Sequence, residues 1–207
     1  MKRFATIIDR ISAWRLKHLD EREVLLILSF VVGLLSGFAA IILKNLIHNL
    51  GKLLTNNFES YSESYQYLAY PGIVILITVL YVRFFVKDDI GHGVTKVLES
   101  IANKKGLMRA HNMFTSIISS TITIGFGGSV GAEAPVVLTG SSIGSNIART
   151  FHLSYRNMTV LIGCGAAGAI AGIFKAPLAG MLFAIEVLML DMTMSSLLHL
   201  MLSLIHI

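Results

Sequence analysis

The residues best placed to do chemistry lie in one short run, Gly125-Phe-Gly-Gly-Ser-Val-Gly-Ala-Glu-Ala-Pro135. Glu133 stands two residues before Pro135, where a helix can begin. The glycines ahead of it let the backbone turn sharply and expose N–H groups. A helix N-terminus carries partial positive charge and unpaired donors, which makes it a ready anion site. A carboxylate tethered there can occupy that site itself. Once protonated it loses its charge, swings away and admits a free anion, so one residue would be both gate and proton acceptor. The simpler reading is an acidic residue in the first turn of a helix, stabilising it by about 1 kcal/mol.

A second break resembles the first. Asp88-Asp89-Ile90-Gly91-His92-Gly93 precedes a short helical pattern that starts at Gly93. Glycines again open a helix N-terminus, whose amides could point at the same anion, with His92 as a side-chain donor. As a single residue, His92 also fits a plain loop or capping histidine. The glycine run does not make a nucleotide loop: it lacks the GxGxxG spacing and has no Lys-Ser/Thr after it. No metal-ligand spacing and no nucleophilic triad is visible, and no cofactor is implied. The single cysteine, Cys164, sits in an apolar run, where it reads as a small packed residue and permits no intrachain disulfide.

These groups must be positioned inside lipid. The 207 residues are 54% hydrophobic and only 14% charged, with a mean hydropathy of +0.72. A soluble domain carries roughly 25% charged residues. The net charge of +5 therefore speaks to membrane orientation rather than to nucleic acid. Phe4 to Leu19 is amphipathic, with Phe4, Ile7, Ile8, Ile11 and Trp14 on one face, as in a helix on a membrane surface. This divides the chain into an N-terminal helix over 1–20 and a membrane domain over 21–207. Val24 to Leu43 lacks any charge and has the length of roughly 20 residues that a span needs. Its apolar spacing continues to Leu54, so the helix is expected to be long and tilted. Ala69 to Val86 is a second span, with Pro71 in its first turn. Cations crowd residues 1–22 and 83–109 but are absent from 55–67. The positive-inside rule puts the N-terminus in the cytoplasm.

Beyond residue 90 the hydrophobic pieces shorten. Gly93–Ala102, Met108–Ile124, Glu133–Ala148, Met158–Phe174 and Pro177–Leu190 are helical in pattern, and another helix begins near Met192. Several are too short for a straight span and are broken by Gly or Pro. Unwound backbone at membrane depth survives only where protein or a water-filled cavity surrounds it, and paired breaks point to a binding site in transporters. Gly127…Gly131, Gly140…Gly144 and Gly168…Gly172 have the spacing of close helix packing. Ala110 to Leu190 carries only Glu133, Arg149, Arg156, Lys175 and Glu186 as formal charges. The three cations read as helix-end or loop residues; an intramembrane acid is a functional candidate. The chain stops within an apolar stretch, as expected of a fragment or of one half of a larger transporter.

Together these residues resemble the CLC family of chloride channels and chloride/proton antiporters. Gly91-His92-Gly93-Val94-Thr95 is similar to the family's first anion motif, GSGIP. Gly131-Ala132-Glu133-Ala134-Pro135 is similar to its second, G-K/R-E-G-P. The stretch Gly165 to Glu186 closely resembles the paired helices that follow. The resemblance covers about residues 20–207 and implies an all-α fold: a multi-span membrane protein with broken and tilted helices. Only the N-terminal half of its inverted-repeat architecture is present. It also implies a homodimer in a plasma or inner membrane, each subunit with its own pore.

The resemblance gives Glu133 the place of the gating glutamate. Gly91, His92, Gly93, Gly131, Ala132 and Ala134 fall on the anion-binding stretches. His92 stands where the family usually has a serine, Ala132 where it has a cation, and Ala134 where it has a glycine. The first of these changes alters the side-chain donor to the central anion. The second weakens local positive potential, and the third stiffens the turn. In proton-coupled members a second glutamate often follows the one matched by Glu186; here that place is Val187. The reading is chloride transport gated by a glutamate, channel-like or weakly proton-coupled. Alternatives are a chloride/proton antiporter, a transporter of fluoride or nitrate, and a non-functional fragment. An enzyme is disfavoured because no paired catalytic groups appear.

Overall fold

A computed structural model describes residues 20–56, 65–86, 93–188 and 194–206. Among them all regular structure is helical. α1 runs Glu21–Asn56, α2 Tyr65–Tyr81, α3 Gly93–Asn103 and α4 Asn112–Gly125. α5 runs Glu133–Thr150, α6 Tyr155–Phe174, α7 Pro177–Val187 and α8 Met194–Leu204. Each expected hydrophobic piece is a helix within a few residues of its predicted bounds. The surface helix expected over residues 4–19 lies outside the described residues.

α1 has 36 residues, about 54 Å at 1.5 Å per residue. A hydrocarbon core is about 30 Å thick, so α1 must tilt or project beyond it. Its outward face exposes Ile27, Phe30, Val31, Leu34, Phe38 and Ile41, while Val32, Ala40 and Leu43 are fully buried. An apolar stripe of that size facing outward fits lipid as the surrounding solvent. α2 begins earlier than its charge-free run. The aromatic stretch from Tyr65 continues the helix upstream, so Pro71 falls in the second turn, not the first. The helix then ends in a wider π-turn over Val82–Val86.

The core forms where α1, α5 and α6 cross. Gly140 of α5 and Gly165 of α6 each press on the other's carbonyl, and Gly144 presses on the Leu161 carbonyl. The indices sum to the same value in both pairs, so α5 and α6 run antiparallel. Gly168 meets Gly33 of α1, and Gly172 meets Gly37 and Ala40; these advance together, so α1 and α6 run parallel. Without side chains in the way, backbones can approach and gain dispersion contacts in lipid, where the hydrophobic effect does not drive helices together. Two of the three small-residue pairs read from the sequence work this way. Gly127 and Gly131 do not, because both lie in the loop between α4 and α5. There Gly127 has φ +87° with open space around it. It serves as the left-handed residue ending α4: Gly127 N–H donates to Ile124 O at 3.0 Å, and Gly128 N–H to Thr123 O at 2.9 Å.

Candidate anion site

Glu133 is the first residue of α5, and the helix carries it at an end that no side chain caps. Ala132 precedes it with helical backbone angles, φ −81° and ψ −8°, and an alanine has nothing to offer the first-turn amides. Pro135 has no N–H, which costs nothing in a first turn. The remaining first-turn donors face the approach to the helix end, where the backbone partial charge is positive. Glu133 is solvent-exposed in this chain. Its Oε2 folds back over the preceding loop, and a Cβ on Gly131 would come within 2.7 Å of it. Gly131 therefore leaves the space in which the carboxylate rests.

The second predicted break lies next to the first. Gly93, the first residue of α3, is buried against the carbonyl of Ala134, and a Cβ there would collide with it. The starts of α3 and α5 are thus in backbone contact, and the N-termini of two helices meet at one point. Gly91 and His92 fall outside the described residues. Gly93, Ala132 and Ala134 cluster around the α5 start, while Gly131 and Glu133 form its exposed rim. The start of α5 is braced from α4, where Ser116 Oγ donates to the Pro135 carbonyl at 3.3 Å. Glu186 and Val187 close α7 far along the chain; Glu186 is exposed and Val187 half-buried.

Sequence reasoning missed the polar latch at the opposite end of α5. Ser145 Oγ accepts from Met108 N–H at 3.0 Å and donates to Gly106 O at 2.6 Å. Asn146 Nδ2 donates to Ser142 O at 2.7 Å and reaches Met108 O at 3.5 Å. Together they tie the α3–α4 loop to α5. A signal was present: serines and asparagine at Ser141, Ser142, Ser145 and Asn146, on a helix otherwise almost free of charge.

An all-α chain with an apolar outer face and helices that stop short in pairs has the architecture of a multi-pass membrane protein. Comparison with known proteins narrows the class. The family described as "Voltage gated chloride channel" matches residues 72–206. The H(+)/Cl(−) exchange transporter ClcA of Vibrio cholerae is 25% identical over 167 residues, covering 78% of this chain and 36% of ClcA. Chloride channel protein CLC-e of Arabidopsis thaliana is 25% identical over 175 residues, 80% of this chain and 24% of that protein. The crystal structure of a slow cyanobacterial Cl−/H+ antiporter superposes with a TM-score of 0.70 at 24% identity, over 89% of this chain and 45% of that one. The chain belongs to the CLC family and has its all-α fold. It spans about a third of ClcA and less than half of the antiporter.

Proposed function

We propose that this chain carries one half of a chloride pathway, with Glu133 as its gate. The carrying observation is the meeting of two helix N-termini, α3 at Gly93 and α5 at Glu133, with the Glu133 carboxylate folded back over the adjoining loop at Gly131. Two converging helix ends supply partial positive charge and backbone donors without a fixed cation, which suits an anion that must also leave. In this reading the amides around Gly131, Ala132 and Ala134 and those around Gly91, His92 and Gly93 line the anion's path. Glu133 competes for the same place when charged and yields when protonated. The protein works as a homodimer in a plasma or inner membrane, with residues 1–20 on the cytoplasmic side.

Passive or weakly coupled movement follows from Val187, which cannot carry a proton where coupled members hold a glutamate. A proton-coupled exchanger is the second reading, because ClcA and the cyanobacterial protein are both named as Cl−/H+ exchangers. A proton gradient imposed across liposomes carrying the protein separates them. No uphill chloride movement is expected; pumping would overturn the Val187 argument. Competition between chloride, fluoride and nitrate in the same vesicles tests the anion, with chloride expected to dominate.

A further inference from the structure

We infer that the end of the bundle opposite Glu133 binds a phosphate group in a cationic cavity between α3 and α4. The cavity holds about 190 Å³ and is lined by Lys96, Lys104, Arg109, Ser100 and Asn112 among others. The cavity runs along α3 from Lys96, one turn past Gly93, to Lys104, and its loop wall is pinned by Ser145, about 18 Å along α5 from Glu133. Three cations share its wall. The acid on the same helix, Glu99, is already paired with Lys104 Nζ at 2.9 Å. Lys96 and Arg109 are themselves engaged within the chain, so they are held rather than waving free.

Asn112 supplies the second, independent observation. It is only 2% exposed, it lines this cavity, and its side-chain Oδ1 has no hydrogen-bond partner. Leaving a buried polar atom unpaired is unfavourable. A half-turn of the amide, which exchanges its oxygen and nitrogen, would give Asn112 an NH2 donor for an anion there. The wall is fixed in place. Ser100 Oγ donates to Leu107 O at 3.1 Å, Gly106 N–H donates to Ser100 O at 2.8 Å, and Met108 N–H is bound by Ser145. A halide would leave much of this volume empty. A phosphate group, larger than a halide and with several acceptor oxygens, can reach more of the wall at once, with lysine point charges and the planar fork of arginine as partners. The phosphate could belong to an anionic lipid headgroup or to a soluble phosphate compound, and the test separates the two.

The purified protein is followed by native mass spectrometry in the presence of phosphatidylglycerol, phosphatidylcholine, inorganic phosphate or sodium chloride at matched ionic strength. Phosphatidylglycerol adducts at one per chain are expected. They should fall at least about tenfold in a Lys96→Gln/Lys104→Gln/Arg109→Gln variant but persist in the charge-matched Arg149→Gln/Arg156→Gln/Lys175→Gln variant. Asn112→Asp, which sets a carboxylate against the cavity, should weaken binding by a similar factor. Adducts that resist inorganic phosphate assign a lipid headgroup; phosphate adducts that displace the lipid assign a soluble ligand, and either supports the site. Equal adducts on both triple variants, equal retention of phosphatidylcholine, or displacement by chloride as effective as by phosphate would overturn it.

Discussion

The first turn of α5 and its middle are built from residues of similar size, yet they are packed in opposite ways. At the start, Ala132, Glu133 and Ala134 leave the helix end uncapped, and Glu133 is exposed. One to three turns later, Val137, Gly140, Ser141 and Gly144 are buried, and Gly140 and Gly144 sit backbone-to-backbone against α6. The middle is rigid because nothing there can move without a collision. The start has room, and the chain keeps that room with Gly131. The contrast shows how one helix can be scaffold and gate: its fixed middle aims a free end. A carboxylate on the fixed part could not swing, and a loose middle could not aim it.

Filling the crossing should do the most damage. In Gly140→Leu, a side chain would be driven into the Gly165 carbonyl, with no flexible neighbour to give way. Overpacking typically costs about 1–3 kcal/mol even where side chains can adjust. Loss of most folded protein on size-exclusion chromatography is expected. A monodisperse, well-expressed variant would show the crossing to be looser than described. The latch comes next. Ser145→Ala strips partners from Met108 N–H and Gly106 O, and should lower stability by about 1–3 kcal/mol, read as a shift in the denaturation midpoint with the fold intact.

Gly131→Ala should leave stability almost unchanged, within about 0.5 kcal/mol. It puts a methyl where the Glu133 carboxylate rests, so the gate should be altered although the fold is not. The measurement is the pH profile of anion flux beside the melting profile; a change in the second without the first would remove Gly131 from the gate. Arg149→Ala, at an exposed position in the last turn of α5, should leave the flux profile unchanged. It loses one favourable interaction with the helix dipole, about 0.3–1 kcal/mol before screening.

Much of this contrast was legible in the sequence. Helix positions followed from charge-free runs, because lipid forbids charges along a span. The α5 start followed from a glycine run, an acid and a proline in order. The glycine pairs at 140/144 and 168/172 were legible as packing because their helices continue through them. Gly127 and Gly131 have identical spacing but lie outside any helix, and spacing alone does not say where a helix stops. Pro71 misled for a related reason. Proline in an early turn is tolerated, and the aromatic residues from Tyr65 carried the helix past the expected start. The polar run around Ser145 was visible, but its partners were not, because they are backbone groups of a loop 37 and 39 residues away. The convergence of the two breaks was legible, since both open a helix start toward one anion; the particular backbone contact of Gly93 with Ala134 was not.

The most direct test of the account is chloride flux through liposomes carrying the protein, measured as a function of pH for the natural chain and for Glu133→Gln. Glutamine has the shape of the protonated acid and no charge at any pH. With Glu133, flux should rise as pH falls, because protonation removes the competing charge. With Glu133→Gln, flux should persist and lose that dependence. A variant whose flux keeps the natural pH profile would contradict the assignment of Glu133 as the gate.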